Sequence, residues 1–199
     1  EFPKLKRLDL SYSRKLIRIP NLHLSPDIEV IFLDSCESLI EVYSSGFLNK
    51  LNCLRLDGCD ELRSLTIPSN ILSRSSGSIT LSNCFKLEMF SIPNTRYEVW
   101  DNGTASDSKG ILSRVKGTFD PVTRYEEENG WLDLSSCLSL TSLSFEFDLS
   151  KLKFLKKLLL CGCSNLEIFP EIEDTMEYLV MLNLKGTAIR ALPSSLCRL

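Results

Sequence analysis

The sequence of 199 residues predicts an α/β solenoid of stacked repeats, with a curved parallel sheet on the concave face. The convex face is expected to hold mostly loops and short turns or helices. Three observations lead to this prediction. An apolar template recurs along the chain, a cysteine or hydroxyl residue closes each copy's strand segment, and proline ends three of the copies. Self-similarity at a regular step is the sequence signature of a repeat architecture.

The template is clearest in residues 155–170, LKKLLLCGCSNLEIFP, and can be written L-x-x-L-x-L-x-x-C-x-x-L-x-x-[LF]-P. Copies begin at residues 5, 28, 51, 76, 129, 155 and 179, and those at 76 and 129 lack the first apolar position. Successive steps are 23, 23, 25, 53, 26 and 24 residues. All but one match the period of roughly 20–29 residues of leucine-rich repeats. We interpret residues 1–199 as a leucine-rich-repeat domain fragment with about seven recognisable repeats.

Each copy contains a short x-L-x-L-x segment that fits a β-strand. The leucines alternate with other residues, so they point inward while the intervening side chains point outward. A single repeat cannot bury its leucines alone, whereas stacked copies form a parallel sheet over a continuous core. Pro20, Pro170 and Pro193 favour extended or turn backbone on the convex side, and we therefore expect little helix.

The 53-residue step encloses a polar segment, residues 94–130, with a charge run at 126–128. Two interpretations stay open for it. Because 53 is about twice 26, the segment can conceal a degenerate repeat in which Tyr97, Val99 and Asn102 imitate the start of the template. The alternative is an irregular surface insertion.

Composition and charge narrow the classes of partner. The net charge is −3 and the pI is near 5.4, so the chain offers no basic field for nucleic acid. No apolar run approaches the roughly 20 residues that cross a bilayer, and the N-terminus lacks the zones of a signal peptide. We expect neither nucleic acid nor membrane as a partner, and the first residues read as the middle of a longer chain.

The residue that closes each strand defines a predicted structural ladder: Ser13, Cys36, Cys59, Cys84, Cys137, Cys163 and Thr187. A thiol or hydroxyl at this position faces inward and can bond backbone groups that the turn leaves free. The exchange of Cys, Ser and Thr favours packing over metal binding. Neighbouring strands lie about 4.8 Å apart, more than the Cβ separation of about 3.8 Å in a disulfide. Free thiols indicate an intracellular setting, cytoplasm or nucleus.

No constellation of catalytic residues can be assigned. The one histidine, His23, precedes an inter-repeat segment without a nucleophile. Phosphate-binding loops, dinucleotide fingerprints and zinc motifs are missing from the sequence. The triplet Asn102 to Thr104 fits a glycosylation sequon, which matters only in a secreted protein. The sequence therefore predicts a protein without catalytic activity, metal or cofactor.

The candidate functional surface is the concave face, because its side chains alternate with the core leucines. Phe32, Trp131, Leu159 and Met181 are apolar groups there, and Lys157 adds to a mixed set of charges. Cys161 also points outward, opposite to Cys163. Scattered exposed apolar residues can equally be ordinary surface, or be covered by another part of the parent chain. The predicted partner-binding residues are Arg7, Asp9, Phe32, Asp34, Arg55, Asp57, Trp131, Asp133, Leu159, Met181 and Lys185.

Four segments carry a resemblance to a family: LDLSYSRKLIRIP, LDGCDELRSL, LLLCGCSNLEIFP and LNLKGTAIRALPSSL. They resemble the repeats of plant intracellular immune receptors that carry a TIR domain and a nucleotide-binding domain ahead of the leucine-rich repeats. The resemblance covers residues 1–93 and 131–199. It implies recognition of a pathogen effector, directly or through a guarded host protein, and restraint of the nucleotide-binding domain of the same parent chain. Any NAD-cleaving activity would belong to a TIR domain, for which this chain has no sequence.

Other classes of protein stay open at this point. An extracellular receptor ectodomain is disfavoured by the unpaired-looking cysteines and by the absence of its LxGxIP phrasing. A substrate-binding adaptor of a ubiquitin ligase also uses repeats of the cysteine type. An enzyme fragment is disfavoured by the missing site.

Overall fold

The computed structural model describes residues 2–22, 25–44, 48–66, 71–72, 76–91, 130–143, 154–171 and 176–198. One strand from each of seven repeats joins a parallel sheet, which confirms the predicted solenoid. In sheet order these strands are β1 Arg7–Asp9, β2 Val30–Phe32, β4 Cys53–Arg55, β6 Ser78–Thr80, β8 Trp131–Asp133, β9 Lys157–Leu159 and β10 Met181–Asn183.

The middle residue of each strand faces the core, in the register that the template predicts. Leu8 pairs with Ile31, Ile31 with Leu54, and Leu54 with Ile79. These positions are fully buried in the central repeats and partly buried in the first and last ones. A parallel sheet stacked in this way buries one continuous column of leucine and isoleucine side chains, and this column is the core.

A second parallel sheet lies across the core from the first, at a place where we expected mostly loops. It consists of β3 Glu41–Tyr43, β5 Ser64–Thr66 and β7 Met89–Ser91. Their inward residues, Val42, Leu65 and Phe90, occupy the last apolar position of the template. Each of these strands forms backbone hydrogen bonds with the next, so three aligned copies of this position make a small sheet. A 3₁₀ helix over Ser194–Arg198 follows β10, in keeping with the little helix expected.

Each strand of the large sheet is followed by a turn that contains a left-handed residue immediately before the ladder position. The seven residues with this positive φ are Tyr12, Ser35, Gly58, Asn83, Ser136, Gly162 and Gly186. In the first six repeats the N–H of this residue donates to a carbonyl of the next repeat, as Gly58 does to Ser82 at 2.8 Å. Glycine adopts such a φ without steric cost, which explains the G-C and G-T pairs in the sequence.

The irregular step does not interrupt the large sheet. β6 pairs directly with β8, and the Gly130 N–H donates to the Gly77 carbonyl at 3.0 Å. Residues 94–129, which include the Asn102 sequon, lie outside the described residues, as does His23.

Candidate binding surface

Three outward positions per repeat line up into three rows across the large sheet. In the first row Arg7 is in register with Val30, and Trp131 with Lys157 and Met181. The second row continues from Asp9 through Phe32, Arg55, Thr80, Asp133 and Leu159 to Asn183. The third row follows the strand ends and contains Ser11, Asp34, Asp57, Ser82, Ser135, Cys161 and Lys185. Predicted partner-binding residues that are far apart in the sequence therefore lie in two clusters, one in each half of this face.

Arg55 is the centre of the first cluster. Its Nη2 atom lies 2.9 Å from Asp34 Oδ2 and 3.6 Å from Asp57 Oδ2. All three side chains are largely covered, with 21%, 17% and 30% of their surface exposed. The guanidinium and the two carboxylates form a partly buried ion-pair network that contributes to the stability of the fold. Removing the cation would leave two negative charges close together.

Asp57 is held by backbone and hydroxyl donors as well. Its Oδ1 accepts the Ser82 N–H at 2.8 Å, and its Oδ2 accepts the Thr80 hydroxyl at 3.0 Å. The Asp57 N–H in turn donates to Asp34 Oδ1 at 3.2 Å. Burial, followed by the neighbouring charge of Asp34, raises the pKa of Asp57 to about 6, and burial also raises the pKa of Asp34. The strand alternation places Thr80 and Ser82 on the concave face, but neither is among the predicted partner-binding residues.

Phe32 lies on the predicted face but is only 4% exposed, so the expectation of an open apolar anchor is wrong for this residue. The Arg7 guanidinium carbon is 4.8 Å from the centre of its ring, and that of Arg55 is 5.8 Å away. Both distances suit cation–π contacts. Arg7 also lies 3.6 Å from Asp9 through its Nη2 atom. The ring is covered because two arginines from the neighbouring strands fold over it.

The second cluster lies on β8, β9 and β10 and is more open. Lys157 Nζ is 3.8 Å from the centre of the Trp131 ring, and Trp131 is half-buried. Leu159 is half-buried beside it, and Met181 is 46% exposed. Lys185 is exposed at the end of the third row. These five residues, Trp131, Lys157, Leu159, Met181 and Lys185, are called the C-terminal patch below.

Two polar contacts border the C-terminal patch. Asp133 Oδ1 accepts the Ser135 N–H at 2.9 Å. The Cys161 thiol points outward and donates to the Ser135 hydroxyl at 3.2 Å. Neither contact involves an apolar side chain of the patch.

The ladder cysteines are fully buried and donate across repeats. The Cys36 thiol donates to the Leu10 carbonyl of the preceding repeat at 3.2 Å, and the Ser13 N–H donates to the same oxygen. Thr187 differs, since its hydroxyl donates to Leu184 in its own turn. The other thiols follow the Cys36 pattern at 3.0–3.3 Å: Cys59 to Leu33, Cys84 to Leu56, Cys137 to Leu81 and Cys163 to Leu134.

Burial raises the pKa of the Cys36 and Cys163 thiols to about 11, and it also raises the pKa of Cys137. These thiols therefore keep their protons at neutral pH, as donors of a hydrogen bond must. In the described part of the chain, no group of three or more His, Cys, Asp or Glu side chains is placed to hold a metal ion. None of the described helices has the length and apolar character to cross a membrane.

No protein-family model matches the chain, whereas several curated plant proteins do. "TMV resistance protein N" of Nicotiana glutinosa is 28% identical over 202 residues, which cover 99% of this chain and 16% of that protein. "Disease resistance protein RPS6" of Arabidopsis thaliana is 29% identical, with 98% of this chain and 20% of that protein covered. The chain is a leucine-rich-repeat region of the plant disease-resistance type. A third relative, "Probable disease resistance protein At4g19520" of Arabidopsis thaliana, is 30% identical over 95% of this chain.

These relatives confirm the resemblance to resistance proteins of the TIR, nucleotide-binding and leucine-rich-repeat class. The resistance-type chain spans only 11–20% of their length. Two solved structures are weakly similar to the chain. A Leptospira interrogans LRR protein has a TM-score of 0.20 and 13% identity, with 58% of that chain covered. A Listeria monocytogenes internalin has a TM-score of 0.22 and 15% identity, with 69% of that chain covered. The solenoid fold follows from the register of the parallel strands.

Proposed function

We propose that this leucine-rich-repeat region is the non-catalytic recognition module of an intracellular plant immune receptor. It senses a pathogen effector, directly or through a guarded host protein, and helps to hold the nucleotide-binding domain of its parent chain inactive. The observation that carries the proposal is the C-terminal patch, an open apolar surface with charged neighbours on the concave face of a resistance-type repeat region. Aromatic and apolar side chains of this kind are the usual anchors of protein interfaces.

The sensing role is tested in plants that carry the parent gene, using a panel of pathogen isolates that the natural gene resists. Trp131→Ala together with Met181→Ala is expected to abolish resistance while receptor accumulation stays unchanged, because both side chains lie on the open face. The matched control is Tyr43→Ala together with Met89→Ala, which removes two exposed side chains from the second sheet. Resistance that survives the Trp131 and Met181 changes overturns the placement of recognition on the concave face.

The autoinhibitory role has a separate readout. Deleting the repeat region from the parent chain is expected to give defence signalling without pathogen, and silence of the deleted receptor would contradict this role. The sequence that precedes the repeats in the parent gene separates the remaining classes. TIR and nucleotide-binding motifs support the proposal, whereas a signal peptide or an F-box would replace it with an extracellular receptor or a ubiquitin-ligase adaptor.

A further inference from the structure

The two halves of the concave face differ in what their charged groups already bind. In the N-terminal half the Arg55 guanidinium is held by Asp34 and Asp57. Both carboxylate oxygens of Asp57 accept hydrogen bonds, from Ser82 and Thr80. A polar partner would have to displace these contacts before it could use the same atoms, so this half is satisfied by its own network.

The C-terminal patch has cations without carboxylates. Among the residues that the structure describes, neither Lys157 nor Lys185 forms an ion pair, and the Lys157 ammonium rests on the Trp131 ring. Asp133 is the one carboxylate in the rows on β8, β9 and β10, and it is engaged by Ser135. Two ammonium groups and one carboxylate leave this part of the face with an excess positive charge beside the exposed Met181 side chain.

We propose that the C-terminal patch docks a protein segment in which an apolar or aromatic side chain is flanked by Asp or Glu. The apolar side chain contacts Trp131, Leu159 and Met181, and the carboxylates meet Lys157 and Lys185. Charge complementarity selects this occupant, because a basic segment would face two unpaired ammonium groups. The inference rests on the proposed recognition function and adds the chemistry of the partner.

The test measures binding of dye-labelled synthetic peptides to the 199-residue chain by fluorescence polarisation. One peptide has a central Phe flanked by glutamates, a second has lysines in place of the glutamates, and a third has Ser in place of the Phe. The glutamate peptide with Phe is expected to bind, and each of the other two to bind more weakly. Lys157→Glu with Lys185→Glu is expected to weaken the first peptide about tenfold, since each lysine contributes an ion pair at a partly exposed site.

The matched control is Lys4→Glu with Lys15→Glu, which changes the net charge equally on exposed lysines of the first repeat. Binding of the glutamate peptide should survive these two changes. Equal binding of the lysine peptide, or equal loss in both double variants, overturns the inference. Preference of the patch for a single-stranded oligonucleotide over all three peptides would also overturn it. Resistance in plants is measured separately with the Trp131→Ala and Met181→Ala variant. If that variant loses resistance but the chain does not prefer the glutamate peptide, only this inference is rejected. If the chain prefers the glutamate peptide but the variant keeps resistance, the proposed sensing role is rejected.

Discussion

The Arg7 guanidinium lies 4.8 Å from the centre of the Phe32 ring, so a cation from the first repeat covers an aromatic side chain of the second. Arg55 approaches the same ring from the third repeat. This contact converts a residue that the alternation places on the surface into a buried part of the fold. Residues of the same sheet face therefore differ in role: Phe32 contributes to stability, whereas the C-terminal patch is the part proposed to bind a partner.

Phe32→Ala is expected to lower the free energy of unfolding by about 3 kcal/mol, because a buried aromatic side chain is lost together with two cation–π contacts. Trp131→Ala, at a half-buried position of the same face, should cost about 1 kcal/mol or less. Urea unfolding followed by circular dichroism measures both values. Equal midpoints for the two variants would show that the arginines do not cover Phe32 in solution.

The carboxyl of Asp57 predicts a pH dependence. Its folded pKa is raised from 3.8 to about 6, so the folded state binds this proton more tightly than the unfolded state does. The stability that this tighter proton binding adds to the folded state is complete below about pH 4 and disappears as the pH rises through about 6. Asn does not titrate, so the free energy of unfolding of Asp57→Asn should rise by about 2 kcal/mol relative to that of the natural chain as the pH goes from 4 to 7.5. Urea unfolding at several pH values measures this difference. Asp9→Asn, at an exposed carboxylate, is the control, and parallel curves for Asp57→Asn and the natural chain would contradict the assignment.

The ladder thiols are expected to stabilise the stacking of repeats. Cys59→Ala removes a buried sulfur and its hydrogen bond to the Leu33 carbonyl, and should cost about 1–2 kcal/mol. Cys161→Ala, on the outer face two residues before a ladder position, should cost less than about 0.5 kcal/mol. Thermal unfolding of the two single variants checks this difference. A Cys161 variant as unstable as the Cys59 variant would remove the distinction between ladder and surface.

The left-handed turn predicts substitutions of opposite sign. Gly162→Ala places a Cβ at φ +78°, 3.1 Å from Ser136 Oγ, and should destabilise the chain by about 1–2 kcal/mol. Tyr12→Gly relieves the same conformation at a side chain that is 71% exposed, and should stabilise the chain by up to about 1 kcal/mol. Urea midpoints that move in the same direction for both variants would contradict this account of the turn.

The proposed intracellular setting predicts eight free thiols, counted in denaturant without reductant. In the folded chain, an alkylating reagent should modify Cys53 and Cys161 before the five ladder cysteines, because of these seven only Cys53 and Cys161 are partly exposed. Peptide mass spectrometry at successive times measures the order. A disulfide between ladder cysteines would overturn the proposed intracellular setting.

The sequence by itself determined the repeat, the inward leucines and the position of the cysteines, because these depend on short-range alternation and on a step that recurs along the chain. The family resemblance also comes from the sequence, in segments such as LNLKGTAIRALPSSL. The convex-side positions do not predict a strand, since a single apolar residue per copy carries no period of its own.

Only the tertiary structure decided which residues meet across repeats. Coverage of Phe32 by Arg7 and Arg55 depends on side chains 23–25 residues away, whose directions no local pattern specifies. Direct pairing of β6 with β8 depends on how the chain closes a 53-residue step. The raised pKa of Asp57 likewise arises from burial in the stack and from the charge of Asp34 in the preceding repeat. Stacking brings distant residues to about 4.8 Å spacing, and burial and charge are properties of that neighbourhood rather than of the residue.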